Sequence, residues 1–166
     1  GDILLVLAAE NGQATAEVAE QAVDLNTIRP DLQAVLDRHA VLYDAARPDA
    51  VAKRRSRGQR TARENLADLC DADSFVEYGA LVIAAQASRR SKDDLIANTP
   101  ADGIITGVAN VNGAEFGYEK SLSAVMAYDA TVLAGTQGKR SHIKTDRLVE
   151  RAQRDELPFI LFAEGG

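Results

Sequence analysis

The sequence predicts an α/β fold, in which a sheet of strands is layered against helices. Three apolar runs predict strands: GIITGVANVNG at residues 103–113, SAVMAYDATVL at 123–133 and LPFILFAEGG at 157–166. Between the second and third runs, residues recur at the i, i+3, i+4 and i+7 spacing of one helix face: Thr145, Leu148, Val149 and Ala152. This order of strands and helix is typical of a layered sheet with crossover connections.

Earlier segments predict further elements. Apolar residues recur at helical spacing after Pro30, which can occupy a first helical turn, and they indicate an amphipathic helix near residues 30–47. TARE at residues 61–64 fits a capping box, so a second helix should begin there. FVEYGALV at residues 75–82 predicts a strand.

Two segments between the predicted helices and strands contain residues that indicate how the chain connects them. Residues 86–102 are polar and predict a loop. Asn112-Gly113 is a strong signal for a two-residue turn, so we expect a tight hairpin between the strands at 103–113 and 123–133.

Composition excludes several classes of protein. A net charge of -6 argues against a general nucleic-acid binder, since neutralising phosphates requires a basic surface. The single cysteine, Cys70, excludes a disulfide framework and a Cys-rich metal site, and its spacing from Leu66 and Leu69 favours core packing. We therefore expect no metal site. No apolar run is long enough to span a bilayer, and no charged segment precedes the opening apolar stretch as a secretion signal would require. We expect no membrane association and a cytoplasmic location.

The glycine pair Gly165-Gly166 follows the last predicted strand, which we expect to be buried. Adjacent glycines leave backbone N–H groups unshielded by side chains, as an oxyanion hole requires. A flexible turn or a truncation scar is the alternative explanation. The pair alone is a weak signal.

Two basic segments could bind an anion. In GTQGKRSHIK, glycines lead into a helix start beside Lys139, Arg140 and Lys144, where orphan amides and cations favour phosphate. An exposed basic first turn is the alternative. In KRRSRGQRTAR, which includes Arg57 and Arg60, six cations fall within eleven residues and suit the phosphates of coenzyme A, or else a solvated face or a salt-bridged subunit contact.

Taken together, these segments resemble the carboxyltransferase family of biotin-dependent acyl-CoA carboxylases. The resemblance covers about residues 50–166, in the order RGQRTARENLADLCDADSFVEYGAL, ADGIITGVANVNG, VMAYDATVLAGTQGKRSHIKTDRLVERA and LPFILFAEGG. The chain departs from the family in its basic KRSHIK segment, and in FAEGG where many members have Asp-Ser before the glycines. These departures leave the acyl chain length open.

The resemblance implies a crotonase-like fold of repeated ββα turns, with residues 29–166 as the N-terminal part of the carboxyltransferase domain. Residues 10–28 are alanine-rich, acidic and poor in large apolar groups, which predicts a linker or else a weak helix. GDILLVL is similar to the last strand of a biotin carrier domain, so residues 1–9 are expected to end such a domain. No Ala-Met-Lys-Met motif is present, so biotin would be attached elsewhere in a fused chain, with biotin carboxylase and carrier domains upstream.

The activity implied by the resemblance is carboxyl transfer from carboxybiotin to the α carbon of an acyl-CoA, as in fatty acid metabolism. Gly165 and Gly166 would donate N–H groups to the thioester oxygen as it becomes an enolate. Lys139, Arg140, Lys144, Arg57 and Arg60 would help to bind the CoA phosphates. The second oxyanion hole and the biotin site would lie beyond residue 166, in a homo-oligomer that is a dimer or a trimer of dimers.

Three alternatives stay open at this point. An acyl-CoA decarboxylase subunit would have a similar sequence and run the transfer backwards. A non-catalytic assembly module would use the helix at 30–47 and the basic segment to hold subunits together. A nucleic-acid binder through residues 53–63 conflicts with the acidic balance and the lack of tryptophan for base stacking.

Overall fold

The computed structural model describes residues 24–164 and shows a four-stranded sheet with helices on both faces. The helices are α1 (Pro30–Ala40), α2 (Pro48–Arg55), α3 (Ala62–Leu69), α4 (Lys92–Asn98), α5 (Gly113–Phe116), α6 (Tyr118–Ser121) and α7 (Lys139–Arg154). The strands are β1 (Val76–Tyr78), β2 (Ile104–Asn110), β3 (Leu122–Tyr128) and β4 (Phe159–Phe162).

The strands lie in the order β1-β2-β3-β4. β1 pairs with β2 and β2 with β3 in antiparallel fashion, whereas β4 runs parallel to β3. A parallel neighbour requires a long crossover, and α7 supplies it. The predicted α/β layer with a crossover connection is therefore confirmed.

Alternation along the strands sends side chains to two separate cores. Ile105, Val125 and Ala127 face α3, where Ala62 and Leu66 pack against them. Ile104, Ala124 and Met126 face α7 and contact Leu148 and Ala152. The sheet is thus covered on both faces near its centre.

The predicted helix starts agree with the structure. Pro30 is in the first turn of α1. Thr61 accepts a hydrogen bond from the Glu64 amide at 3.1 Å, and the Glu64 carboxylate accepts one from the Thr61 amide at 2.8 Å. This reciprocal pair is the expected capping box.

Two connections contain helices that were not predicted. Residues 86–102 contain α4, which Ser91 caps and whose Leu95 is buried, so the stretch is not simply a loop. The turn at Asn112-Gly113 is not a two-residue hairpin, because α5 and α6 extend the connection between β2 and β3. Asn112 does adopt the left-handed conformation. The Asp71 carboxylate accepts hydrogen bonds from the amides of Asn112, at 3.0 Å, and Gly113, at 2.7 Å.

The strands also differ from the predicted bounds. β1 covers only Val76–Tyr78 of the predicted 75–82, since the chain turns at Gly79 with a positive φ. β3 ends at Tyr128, short of residue 133. β4 is not fully buried, because within the described residues it is an edge strand, and Phe159 and Leu161 are 39% and 43% exposed.

Candidate functional site

The predicted oxyanion donors lie at the end of β4. Gly165 and Gly166 are outside the described residues, so their role stays a prediction. The described chain does show what leads to them: β4 is paired along its length with β3, and Phe162 packs against the α3 core. The strand that precedes the glycine pair is therefore held in place by the inner strand β3 and by the core against α3.

Glu164 immediately precedes the glycine pair and forms an ion pair with Arg54 of α2. The guanidinium Nη1 and Nη2 atoms lie 2.6 Å from the carboxylate oxygens Oε2 and Oε1. The Arg54 side chain is only 10% exposed and that of Glu164 29%. Such a bidentate pair, largely withdrawn from water, holds the two chain segments in one geometry.

The start of α7, predicted as a phosphate seat, is occupied by a carboxylate of the chain itself. Asp102 Oδ2 accepts a hydrogen bond from the Ser141 amide at 2.8 Å. Ser141 Oγ in turn accepts one from the Gly138 amide at 2.6 Å. Burial raises the pKa of Asp102, while the Ser141 amide and Lys144 oppose that rise. The internal carboxylate thus satisfies the positive end of the helix.

Lys144 points into the protein. Its side chain is buried, and Nζ donates hydrogen bonds to the carbonyl oxygens of Ala101, at 2.9 Å, and Ile104. Burial lowers the pKa of Lys144 to about 8, although Glu77 and Asp102 act in the opposite direction. Lys144 therefore ties α7 to the start of β2.

Replacement of Lys144 by Met should change how stability depends on pH. Above pH 8 the folded protein releases a proton that the unfolded chain keeps up to about pH 10.5. The unfolded state therefore binds more protons in this window, and wild-type stability should rise relative to Lys144→Met by on the order of 3 kcal/mol. Denaturant unfolding of both proteins across the window measures the difference. A difference that does not vary with pH would contradict the lowered pKa of Lys144 in the folded protein.

Arg140 and Lys144 lie together beside a cavity of about 240 Å³. The exposed Arg140 donates to the carbonyl of Ile83 at 3.0 Å. Lys139 is exposed at the first turn of α7. The other lining residues of this cavity are Tyr78, Gly79, Val82, Thr106, Ile143 and Arg147.

Arg57 belongs to a different cavity, of about 370 Å³, between α2 and the chain after β3. Lys53 and Arg54 line it with Arg57, and Ala130, Thr131 and Ala134 form its other side. Arg60 is not among the lining residues, and its guanidinium contacts Asp68 at 2.9 Å. The structure therefore places the predicted phosphate-binding residues in separate surroundings instead of one site.

Sequence reasoning missed Arg54, Glu164 and Asp102. A carboxylate just before the glycine pair was visible, but nothing distinguished Arg54 from its basic neighbours. Asp102 fell in a stretch predicted as a loop. In the stretch from residue 24 to 164, no cluster of His, Cys, Asp or Glu is arranged to hold a metal ion. The same stretch has no helix with the length and apolar character needed to cross a membrane.

Comparison with known proteins identifies the family. The carboxyl transferase domain model matches residues 53–166. The methylmalonyl-CoA carboxyltransferase 12S subunit of Propionibacterium freudenreichii subsp. shermanii is 28% identical, over 85% of this chain and 25% of that protein. The biotin-dependent acetyl-/propionyl-coenzyme A carboxylase beta5 subunit of Mycobacterium tuberculosis is 30% identical, over 88% of this chain and 25% of that protein.

Solved structures agree. A single-chain, multi-domain long-chain acyl-CoA carboxylase matches with a TM-score of 0.82 and 61% identity, over 84% of this chain and 14% of that one. The transcarboxylase 12S hexamer, with hydrolysed methylmalonyl-coenzyme A bound, matches with a TM-score of 0.67 and 26% identity, over 81% of this chain and 25% of that one.

The chain spans about a quarter of the length of the curated relatives it matches. The expected crotonase-like fold is confirmed by its structural neighbours. The family model covers more than half of the chain and includes β1 to β4 as well as the glycine pair. The chain belongs to the carboxyl transferase domain family.

Proposed function

We propose that the protein containing this chain transfers a carboxyl group from carboxybiotin to the α carbon of an acyl-CoA. The proposal rests on the family match, which extends through Gly165 and Gly166. Two relatives are named for action on methylmalonyl-CoA and on acetyl- or propionyl-CoA, which supports an acyl-CoA as the substrate.

The chemical part assigned to this chain is stabilisation of negative charge. Removal of a proton next to a thioester moves charge onto the carbonyl oxygen, and backbone N–H donors aimed at that oxygen lower the barrier. We assign this part to the amides of Gly165 and Gly166. The pairing of β4 with β3 supports the assignment, since donors are effective only when they are held before the reaction begins.

Biotin, attached to a carrier domain outside this segment, would supply the carboxyl group. We assign no residue of this chain to hold it. A biotin carboxylase domain and a homo-oligomeric assembly complete the proposal, and the hexamer of the 12S relative supports a multi-subunit form.

Transfer itself is the direct test. The full-length protein, given carboxylated biotin and an acyl-CoA, is expected to form the carboxylated acyl-CoA, which mass spectrometry detects. Lack of product over a series of acyl chain lengths would contradict the proposed reaction.

Charge removal tests the proposed CoA contacts. We expect Arg57→Gln or Arg140→Gln to weaken CoA binding by several-fold, and the loss to shrink at high salt, because phosphate attraction is screened by ions. Titration calorimetry of the full-length protein measures both effects. Lys120→Gln, an exposed cation on α6, serves as the control. Affinity unchanged in both variants would dismiss these cavities as phosphate sites.

A second candidate, a non-catalytic assembly module, is favoured by one observation. Apolar residues of α1 and the chain before it are exposed: Ile28, Leu32, Val35 and Leu36 are 45–50% accessible. The calorimetry discriminates between the two functions, because an assembly module has no need to bind CoA.

A further inference from the structure

We propose that Arg54 and Glu164 form a positioning pair that holds the glycine pair in its working orientation. This inference rests on the proposed function of Gly165 and Gly166. It concerns residues that precede the donors and do not themselves touch the thioester.

The Arg54 guanidinium is bound by three partners at once. Nε and Nη2 donate to the carbonyl of Arg60, Nη1 donates to Gln59 Oε1 at 3.2 Å, and the two Nη atoms also contact Glu164. Arginine has five N–H groups in a rigid planar fork, and hydrogen bonds to Arg60, Gln59 and Glu164 occupy four of them. A guanidinium held by four hydrogen bonds has little freedom to move.

The anchor under Arg54 is itself rigid. Gln59 and Arg60 form the turn between α2 and α3, and the Gln59 amide donates back to the Arg54 carbonyl at 3.1 Å. The next residue, Thr61, starts the capping box of α3, and α3 packs on the sheet through buried Ala62 and Leu66. Glu164 is therefore bound to a segment that the core holds in place.

Glu164 also lies between the end of β4 and the glycine pair. β4 ends at Phe162, so ladder pairing no longer restrains the chain two residues later. Glycine offers no side chain to pack and a wide choice of backbone angles. The peptide that links Glu164 to Gly165 carries the first proposed N–H donor, so fixing the Glu164 side chain restricts the direction of that donor.

Lysine cannot replace Arg54 in this arrangement. An ammonium has three donors on a flexible stem and lacks the fork that grips a carboxylate with two parallel bonds. We therefore expect Arg54→Lys to retain charge but lose orientation.

The experiment compares Glu164→Gln with Glu77→Gln in the full-length protein. Glu77 pairs with Arg63 at 2.6 Å, and the two side chains are 13% and 14% exposed, so Glu77→Gln weakens an ion pair whose carboxylate is more buried than that of Glu164 and is not next to the glycines. Because loosened donors lose alignment, we expect Glu164→Gln to lower kcat about tenfold to a hundredfold with little change in KM for the acyl-CoA. Glu77→Gln should keep the parental kcat.

Hydrogen exchange supplies a readout that does not depend on activity. The peptide covering residues 159–166 should exchange its amides faster in Glu164→Gln and in Arg54→Lys than in the wild type or Glu77→Gln. Parental kcat together with unchanged exchange would overturn the positioning role and leave the proposed function standing. Faster exchange in Glu164→Gln, in a protein whose wild type carboxylates no acyl-CoA, would show that the ion pair restrains this segment. It would overturn the role of that restraint in catalysis. If Glu164→Gln does not fold, Arg54→Lys decides by the same two measurements.

Discussion

Valine in place of Gly166 should reduce carboxyl transfer by the full-length protein about 10²–10³-fold, the loss typical of removing one oxyanion donor. A β-branched side chain restricts the backbone and shields the amide that we assign to the thioester oxygen. The change should fall on kcat, because the donor is used most when the oxygen becomes charged. Steady-state kinetics with a saturating acyl-CoA measures it.

The control for this substitution is Ala163→Val. Ala163 is exposed and lies three positions earlier in the same segment, so the same side chain is added without altering the glycine pair. We expect Ala163→Val to keep most of the activity. Carboxylation by Gly166→Val at the parental rate would remove Gly166 from the oxyanion hole.

Alanine in place of Gly107 should destabilise the fold by about 2–3 kcal/mol, in the upper part of the range for overpacked sites. Gly107 lies in the middle of β2, and an added Cβ would stand 2.4 Å from the Val76 carbonyl oxygen and 2.6 Å from the Phe75 ring. The Val76 carbonyl belongs to the backbone of β1, so it cannot withdraw without disturbing the pairing of β1 with β2. A lower midpoint in thermal unfolding of the full-length protein is the expected result.

Gly138→Ala is the matched control for Gly107→Ala. Its added Cβ would meet the Asp102 carboxylate at 3.4 Å, an ordinary contact, and its backbone φ of -103° is open to any residue. Loss of glycine at this helix start should cost at most about 1 kcal/mol. Equal midpoints for the two variants would show that β1 is free to move away from β2.

Features set by nearby residues could be predicted from the sequence. The capping box at Thr61 and Glu64 depends on contacts within one helical turn, and it is present. Of the face predicted for α7, Leu148 and Ala152 pack in the core, whereas Val149 is 46% exposed. The helix α4 was missed because it is short and polar, with Leu95 as its only buried residue. Its start signal, Ser91, is common in loops as well.

Features set by distant residues could not be predicted. The start of α7 had the composition of an anion seat, but Asp102, 39 residues before Ser141, fills it. Lys144 looked like a surface cation, yet it donates to carbonyls 40 and 43 residues away. Periodicity predicted which runs form strands, while the exposure of β4 depends on what lies beside it in the sheet.

The bond between Arg54 and Glu164 joins positions 110 residues apart. A ribosome adds roughly 5–20 residues each second, so the carboxylate emerges many seconds after the arginine. Until then water must solvate part of a guanidinium that will later be enclosed. The junction between α2 and α3 therefore reaches its final form only after β4 and Glu164 have been synthesised.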